Sequence, residues 1–333
     1  MSTTGAEAAV SRSEGRRQPA ARVLLAVCLI AVVQTCLVLL FAWSSSRSAP
    51  HSLPIAVAGP PSAAQGLARG LERAQPGAFA VTVLADDGAA RRAVTDRTAY
   101  GAVSLSPGGV TLYTAPAASP AVADALSQTV PAALKGALPQ ATVTVTPLVA
   151  NPPDDPHGVA IPSALIPLTL TSIAAGAVIG LLAWTRRTRL VAIVLYSVLA
   201  GGLATLALQT VLGGLTGSWL SNAAVIALAA LAISAATAGL VAIADIVGAV
   251  ISALFVFFVG FSFSGATTAW QLVPTPWGQI AQYLPVGATN TALRSVAFFG
   301  GAAATAALTV LTTWAVAGLG LFLVFHRNPT PAD

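Results

Sequence analysis

Charged residues are scarce in this 333-residue chain: Asp, Glu, Lys and Arg make up only 8% of it, whereas 56% of its residues are hydrophobic. A soluble globular protein carries about 25% charged residues, so this balance argues against that class. Lys135 is the only lysine, and the formal net charge of +5 therefore comes from arginines. These arginines are scattered or flank apolar runs, so they predict no nucleic-acid partner.

Cysteine is also nearly absent. Cys28 and Cys36 lie in one apolar run. Eight residues of helix separate two positions by about 12 Å, which is too far for a disulfide bond. We interpret both as small buried hydrophobic residues. The rest of the chain contains no cysteine, so any folded domain in it is held together by its hydrophobic core alone.

The sequence lacks the motifs that carry common chemistry. It has no phosphate-binding G-x-x-x-x-G-K-[ST] loop, no H-E-x-x-H motif, no Cys/His metal spacing and no serine nucleophile elbow. Asp154, Asp155 and His157 lie in a proline-rich stretch that we interpret as a linker. Asp86 and Asp87 precede a glycine and are typical of a turn. We therefore predict no enzyme activity, no cofactor and no metal site.

Six apolar runs are present instead, each close to the roughly 20 residues that a helix needs to cross a membrane. They are Val23–Trp43, Ile161–Trp184, Leu190–Leu212, Leu220–Ala242, Val247–Gly265 and Ala302–Phe325. The first is longer than a signal-peptide core and ends in an interfacial tryptophan, so we interpret it as a retained anchor. Asp245, between the fourth and fifth runs, marks either a cytoplasmic turn or a buried intramembrane polar site.

Arginines set the predicted orientation, because short loops rich in Lys and Arg stay in the cytoplasm. The terminal segments 1–22 and 326–333 and the loop Thr185–Arg189 contain arginine, whereas the short connections on the other side carry only Arg47 and Arg294. We predict a multi-pass protein of the cytoplasmic membrane with both termini inside. The long polar stretch between the first two spans then lies outside the cell.

Residues 44–160 read as an extracytoplasmic α/β domain with a linker, inserted between transmembrane helices 1 and 2. Short β-rich runs alternate with helical stretches, which is typical of a small α/β layer. The predicted strands are 54–58, 79–84, 100–105, 110–113 and 141–145, and the predicted helices are 62–74, 89–96 and 120–138. The fold class is therefore an α-helical membrane protein of six spans, with residues 161–325 forming a five-helix domain.

Residues 266–301 are too long for a loop and too broken for a span. Trp270, Trp277 and Tyr283 are residue types that favour the membrane interface, and Pro285 separates two short helices. We predict that these helices lie on, or dip into, the outer leaflet as an interfacial or re-entrant segment. Arg294 then points to water or to lipid phosphate, either as a surface charge or, with Pro285, as an outer gate or headgroup contact.

Three stretches carry a resemblance to a known family. They are Leu84-Ala-Asp-Asp-Gly-Ala-Ala-Arg-Arg-Ala-Val-Thr-Asp-Arg-Thr-Ala-Tyr-Gly-Ala-Val103, Ser264-Gly265 and Leu284-Pro-Val-Gly-Ala-Thr-Asn-Thr-Ala-Leu-Arg294. With the one-plus-five layout, they make the chain similar to the type 2 ABC transporter permeases. It resembles most the branch with a large extracellular domain, which includes phage-infection-protein-like membrane proteins. The alanine- and arginine-rich composition is typical of a bacterium with GC-rich DNA.

The resemblance implies the permease subunit of an exporter for a lipid-like or amphipathic compound. Such a subunit works as a homo- or heterodimer, in contact with membrane lipid and with a separate ATP-binding subunit. These permeases place a coupling helix between spans two and three, where this chain has only Thr185–Arg189. Arg186, Arg187 and Arg189 are therefore either ATPase contacts or only the positive-inside signal. The alternative function is an ATPase-independent protein of the same fold, acting in cell-envelope organisation or as a surface scaffold.

Overall fold

The computed structural model describes residues 4–106, 109–137, 142–182 and 185–325, with side chains from residue 22 onwards except at 135–137. The chain forms two compact units, Met1–Ser46 and Arg47–Asp333. Several predictions reach beyond the described residues. These are the end of the second span at Trp184, the helix end at Leu138, the strand start at Ala141 and the C-terminal tail 326–333.

The first unit is a single helix, α1, over Thr4–Ser46. Its segment Arg22–Ser46 is long and apolar enough to cross a membrane. Helix α1 begins at Thr4, so most of the predicted N-terminal tail continues the helix of the first span. Cys28 and Cys36 are free and exposed on this helix, and the expectation that they are buried is wrong.

The second unit begins with a five-stranded mixed sheet flanked by helices. Its elements are β1 (Leu53–Ala58), α2 (Pro61–Ala74), β2 (Phe79–Leu84), α3 (Asp87–Thr95), β3 (Gly101–Ser106), β4 (Gly109–Thr114), α4 (Pro120–Ala137) and β5 (Val143–Pro147). The strand order is β2-β1-β3-β4-β5, with only the β3–β4 pair antiparallel. Every strand and helix predicted for this stretch is found, within a few residues at its ends.

Alternating side chains on the strands divide the core of this α/β layer into two parts. Leu53, Ile55 and Val57 of β1 face a cluster that includes Leu67 of α2 and Leu126 of α4. The intervening β1 residues Ala56 and Ala58 face the second cluster, which includes Ala90 and Val94 of α3. Local signals agree with this arrangement, because Asp86 Oδ1 caps α3 by accepting the Ala89 N–H at 2.7 Å.

The remaining helices follow a stiff linker. The first are α5 (Ala160–Leu181) and α6 (Arg186–Thr205), and α6 runs on as a π-helical turn over Leu206–Val211. Helix α7 (Trp219–Ser252) continues through a second π-helical segment (Ala253–Val259) into α8 (Gly260–Phe263). Glycines let α5 and α6 approach α7 closely. A Cβ atom added at Gly176 would lie 2.4 Å from the Ser234 carbonyl oxygen, and one at Gly201 would lie 2.4 Å from that of Ala223. Both helices therefore pack backbone to backbone on α7.

Among the described residues, five helical stretches are long and apolar enough to span a membrane, and the fourth runs for 45 residues over Trp219–Phe263. A straight helix of that length would measure about 68 Å, more than twice a hydrocarbon core. The backbone is non-helical at Ala244 and Asp245, and Asp245 has a positive φ of 48°. Thr237 Oγ1 lies 2.6 Å from Ser252 Oγ, although 15 residues of continuous helix would separate them by about 22 Å. The stretch therefore folds back on itself at Asp245.

The segment between this hairpin and the last helix contains a 3₁₀ turn (Trp270–Leu272), α9 (Trp277–Ala281) and α10 (Pro285–Phe298), followed by α11 (Thr305–Phe325). The two short helices are present, but Pro285 is the first residue of α10 and is not, as we had expected, part of the break between the helices. None of the residues of α10 is exposed. Ala288, Ala292 and Leu293 share a core cluster with Leu165 of α5 and Leu311 of α11. Helix α10 is thus enclosed by its neighbours, and the interfacial or re-entrant position of the segment stays a prediction.

The α/β layer also takes part of its core from this segment. Ala269 and Leu272 belong to the same cluster as the strand residues of β1. The Ala49 N–H donates to the Leu272 carbonyl at 3.0 Å, and the His51 N–H donates to that of Gln271 at 2.9 Å. The segment 266–301 therefore bridges the α/β layer and the helices.

Candidate functional site

Two arginines join the α/β layer to α10 by reciprocal hydrogen bonds. Arg97, which follows α3, donates from Nη1 to the Thr291 carbonyl at 3.0 Å and to the Ser295 hydroxyl. Arg294, on α10, donates from Nη1 to the Ala117 carbonyl of the α/β layer at 3.0 Å. The α/β layer and α10 thus each donate hydrogen bonds from one arginine and accept hydrogen bonds from the arginine of the other. We call Arg97, Arg294 and these acceptors the arginine junction.

Local structure places both arginines. Asp96 caps the C-terminus of α3, and Arg97 then adopts a φ of 58°, so that the chain leaves the helix in a sharp turn. Arg294 lies one helical turn after Asn290, and its Nε donates to the Asn290 side-chain oxygen at 3.1 Å. Its Nη2 donates to the Ala266 carbonyl at 3.3 Å, so this one guanidinium joins three separate parts of the chain.

The junction is a buried cationic site with neutral acceptors. Arg294 is only 2% exposed, and within the described part of the chain neither Arg97 nor Arg294 forms an ion pair. Burial, followed by repulsion from Arg97, lowers the pKa of Arg294 to about 10. Burial also lowers the pKa of Arg97 and raises that of Tyr100, whose hydroxyl donates to Gln271 Oε1 at 2.9 Å. Arg294 and Tyr100 therefore stay protonated at neutral pH.

This geometry corrects the expectation for Arg294. We predicted a side chain that points to water or to lipid phosphate, but its guanidinium is enclosed by protein. A role of Arg294 and Pro285 as an outer gate stays a prediction. Backbone carbonyls satisfy its donors in place of water. Pro285, its predicted companion, starts the same helix but takes no part in the junction. Sequence reasoning missed Arg97, Tyr100 and Gln271 altogether, because nothing in the local pattern shows that they meet α10.

The three arginines proposed as an ATPase contact do not form a loop. They lie in the first turn of α6, where Thr185 is the N-cap and its hydroxyl accepts the Thr188 N–H at 3.2 Å. Arg186 and Arg187 are exposed, whereas Arg189 is buried and donates to the Leu182 carbonyl at the end of α5. Only two of the three are therefore open to a partner.

Asp245 lies exposed at the reversal of the α7 hairpin. This position is the one expected from the turn interpretation, and nothing in its surroundings resembles a buried polar site. Gly248, three residues later, packs against the first arm of the hairpin, and a Cβ atom there would lie 2.1 Å from the Leu240 carbonyl oxygen. The tight turn thus depends on a glycine as well as on the strained aspartate.

A groove of about 640 Å³ separates α5 from α6. We call it the α5–α6 groove. It is lined almost wholly by apolar side chains, among them Ala164, Leu168, Ala200, Leu203, Ala204 and Leu208. Its volume lies in the range of small-molecule sites, about 300–1,000 Å³. Within the described residues, no cluster of three His, Cys, Asp or Glu side chains offers a metal site.

No protein-family model, curated protein or solved structure matches this chain. The apolar helices by themselves indicate a multi-pass membrane protein with a mixed α/β layer.

Proposed function

We propose that the chain is the permease subunit of an ABC-type exporter that moves a lipid-like or amphipathic compound across a bacterial cytoplasmic membrane with a separate ATPase. The observation that carries the proposal is the fold-back at Asp245. It divides residues 219–263 into two apolar arms, each about the length of a span, which supports a layout of six spans. One span before the α/β layer and five after it match the layout of the type 2 permeases that the sequence resembles.

The helices also support a dimer, which such a permease requires. Helix α11 presents an exposed face of small residues that includes Thr305, Thr309 and Thr313. Small residues let the backbones of two membrane helices approach each other closely. Thr309 and Thr313 donate their hydroxyls back to carbonyls of their own helix, at 2.9 and 2.8 Å, so this face needs no water.

The ATPase is tested by co-purification from the native membrane. Wild-type chain should bring down a P-loop ATPase, and the double variant Arg186→Gln/Arg187→Gln should lose it, because these two side chains are the exposed cations of the α6 start. Arg189 is left unchanged, since it bonds to the end of α5. The matched control replaces two exposed arginines of the α/β layer, in Arg73→Gln/Arg92→Gln, and should retain the ATPase.

One observation favours the alternative, an ATPase-independent protein of the same fold in envelope organisation or as a surface scaffold. Helix α5 ends at Leu181 and α6 begins at Arg186, which leaves no room for a coupling helix between them. If wild-type chain, crosslinked in its native membrane, carries no ATPase, the exporter proposal fails in favour of this alternative.

A further inference from the structure

Arg97 uses only part of its hydrogen-bonding capacity within the protein. Both hydrogens of its Nη1 are taken, by the Thr291 carbonyl and the Ser295 hydroxyl. The Nε and Nη2 hydrogens have no acceptor among the described residues, and the half-buried side chain leaves neither of these two atoms enclosed. Nε–H and Nη2–H form one edge of the planar guanidinium, on which two oxygens of one anion can bind side by side. Arg97 therefore presents a free anion-binding edge at the arginine junction.

The guanidinium of Arg97 is held in place by its surroundings. Its two acceptors on α10 lie one helical turn apart, and its Cζ lies 5.1 Å from the centroid of the Phe299 ring, which covers one face of the group. The backbone is fixed as well, because the Arg97 N–H donates to the Val94 carbonyl at 3.2 Å where the chain leaves α3. A side chain that is already ordered loses little conformational entropy when it binds a ligand. The free edge is therefore preorganised for an anion.

The junction carries positive charge that no acid in the described part of the chain neutralises by an ion pair. Arg97 and Arg294 lie close enough to repel each other. The one ion pair among the described residues joins Arg91 to Asp87 instead. Asp155 attracts Arg294 from a distance, but both of its carboxylate oxygens accept N–H groups at the start of α5, each at 2.9 Å. An anion bound to Arg97 would offset the remaining positive charge.

The free edge lies at the level where the apolar helices end. Thr216 belongs to the connection between two candidate membrane spans, α6 with its π-helical turn and α7, and its hydroxyl donates to the Ala297 carbonyl at 2.7 Å. Ala297 lies two residues after Ser295 on α10, and Ser295 accepts the hydrogen bond of Arg97. Phospholipid phosphates occupy this level, just outside the hydrocarbon core.

We propose that the Nε–Nη2 edge of Arg97 binds a phosphate group at the membrane surface. A phospholipid headgroup and free inorganic phosphate share this chemistry, and the level of the site favours the headgroup. The phosphodiester of a headgroup offers two unesterified oxygens, which match the two N–H groups of the edge. The inference goes beyond the proposed function and rests neither on transport nor on an ATPase.

The test is hydrogen exchange of the purified full-length chain in dodecyl maltoside, a detergent without phosphate. Three ligands are compared: dioleoylphosphatidylglycerol, a digalactosyl lipid with the same acyl chains and no phosphate, and inorganic phosphate. At about ten times its dissociation constant, the phospholipid should slow exchange of the turn at Arg97 and of the end of α10 about tenfold, and the glycolipid should not. Equal protection by the two lipids would overturn the site. Protection by inorganic phosphate equal to that by the phospholipid would support the phosphate site and identify free phosphate as its ligand.

Two variants separate the guanidinium edge from positive charge alone. Arg97→Gln removes both, whereas Arg97→Lys keeps the charge but cannot offer two N–H groups on a planar edge, so protection by the phospholipid should be lost in each. The matched control Arg92→Gln removes an exposed arginine of α3 and should retain the protection. Protection that persists in Arg97→Gln would overturn the site. If that variant misfolds, Arg97→Lys still decides, because full protection there would mean charge attraction only and overturn the proposal. No ATPase is present, so failure of the exporter function would not mimic failure of the site.

Discussion

Replacing Arg294 by methionine should weaken the attachment of α10 to the α/β layer. Methionine has a similar length and no charge, so it keeps much of the packing and removes the three hydrogen bonds of the guanidinium. The Ala117 and Ala266 carbonyls would lose that donor in a buried site. The structure thus predicts a loss at the contact between α10 and the α/β layer, with the rest of the second unit left intact.

The magnitude follows from two opposing effects. Each buried acceptor left without its donor costs about 1–3 kcal/mol, or about 2–6 kcal/mol for the two carbonyls. Removing the cation returns part of this, because burial, followed by repulsion from Arg97, lowers the pKa of Arg294 to about 10, and the shift from the ordinary arginine value corresponds to about 3 kcal/mol. We therefore expect Arg294→Met to cost up to about 3 kcal/mol. Arg294→Lys should cost more, because lysine keeps the buried charge but cannot reproduce the planar fork that reaches three acceptors.

Hydrogen exchange measures this interface directly. A loss of 1.4 kcal/mol speeds exchange from a locally opened state tenfold, so the amides of α10 and of the turn at Ala117 should exchange up to about a hundredfold faster in Arg294→Met. The control Arg73→Met makes the same chemical change at an exposed site and should leave exchange unaltered. Better protection of α10 in Arg294→Lys than in Arg294→Met would refute the reasoning, and so would a loss in Arg294→Met well beyond a hundredfold.

Four further predictions follow from particular contacts. The melting-temperature difference between wild type and Arg294→Met should be the same at about pH 5 and pH 9. A lowered arginine pKa makes the folded state bind fewer protons than the unfolded state only from about pH 10 upwards, where stability rises with pH, and the carbonyl and amide acceptors of Arg294 do not titrate. Gly248→Ala should destabilise the chain in detergent by about 1–3 kcal/mol or more, because the added Cβ overlaps the Leu240 carbonyl. The control Gly320→Ala, whose Cβ meets nothing within 4 Å, should be neutral. Equal melting temperatures of the two variants would contradict the fold-back. In a Cys28→Ala/Cys36→Ala background, cysteines at Ser46 and Asp124 should react with an impermeant reagent on intact cells, and one at Thr188 only after permeabilisation; the opposite pattern would invert the topology. An isolated fragment 47–150 should show a mixed helix and strand spectrum but melt at lower temperature than the α/β layer in the whole chain, since it lacks Leu272 and Ala269; an unchanged melt would show that these contacts contribute little.

Much of the fold was readable from local patterns. Strands and helices of the α/β layer follow from alternation, from the Asp86 cap and from the proline that opens α4, because such signals act within a few residues of the chain. The length of each apolar run likewise predicted the membrane helices. A turn was one of the two alternatives for Asp245, although no sequence pattern reveals that the fold-back depends on Gly248 and Leu240.

The sequence by itself therefore determined the membrane class, the order of apolar helices and the secondary structure of the α/β layer, since each depends on residues close together in the chain. Only the tertiary structure decided which polar residues are buried and which groups they contact. Arg294 resembles a surface arginine in its sequence context, and it becomes buried because carbonyls from distant segments replace water around it. The burial of Arg189 and the presence of the α5–α6 groove also depend on the tertiary structure. Both depend on which helices meet, and local sequence patterns do not encode that choice.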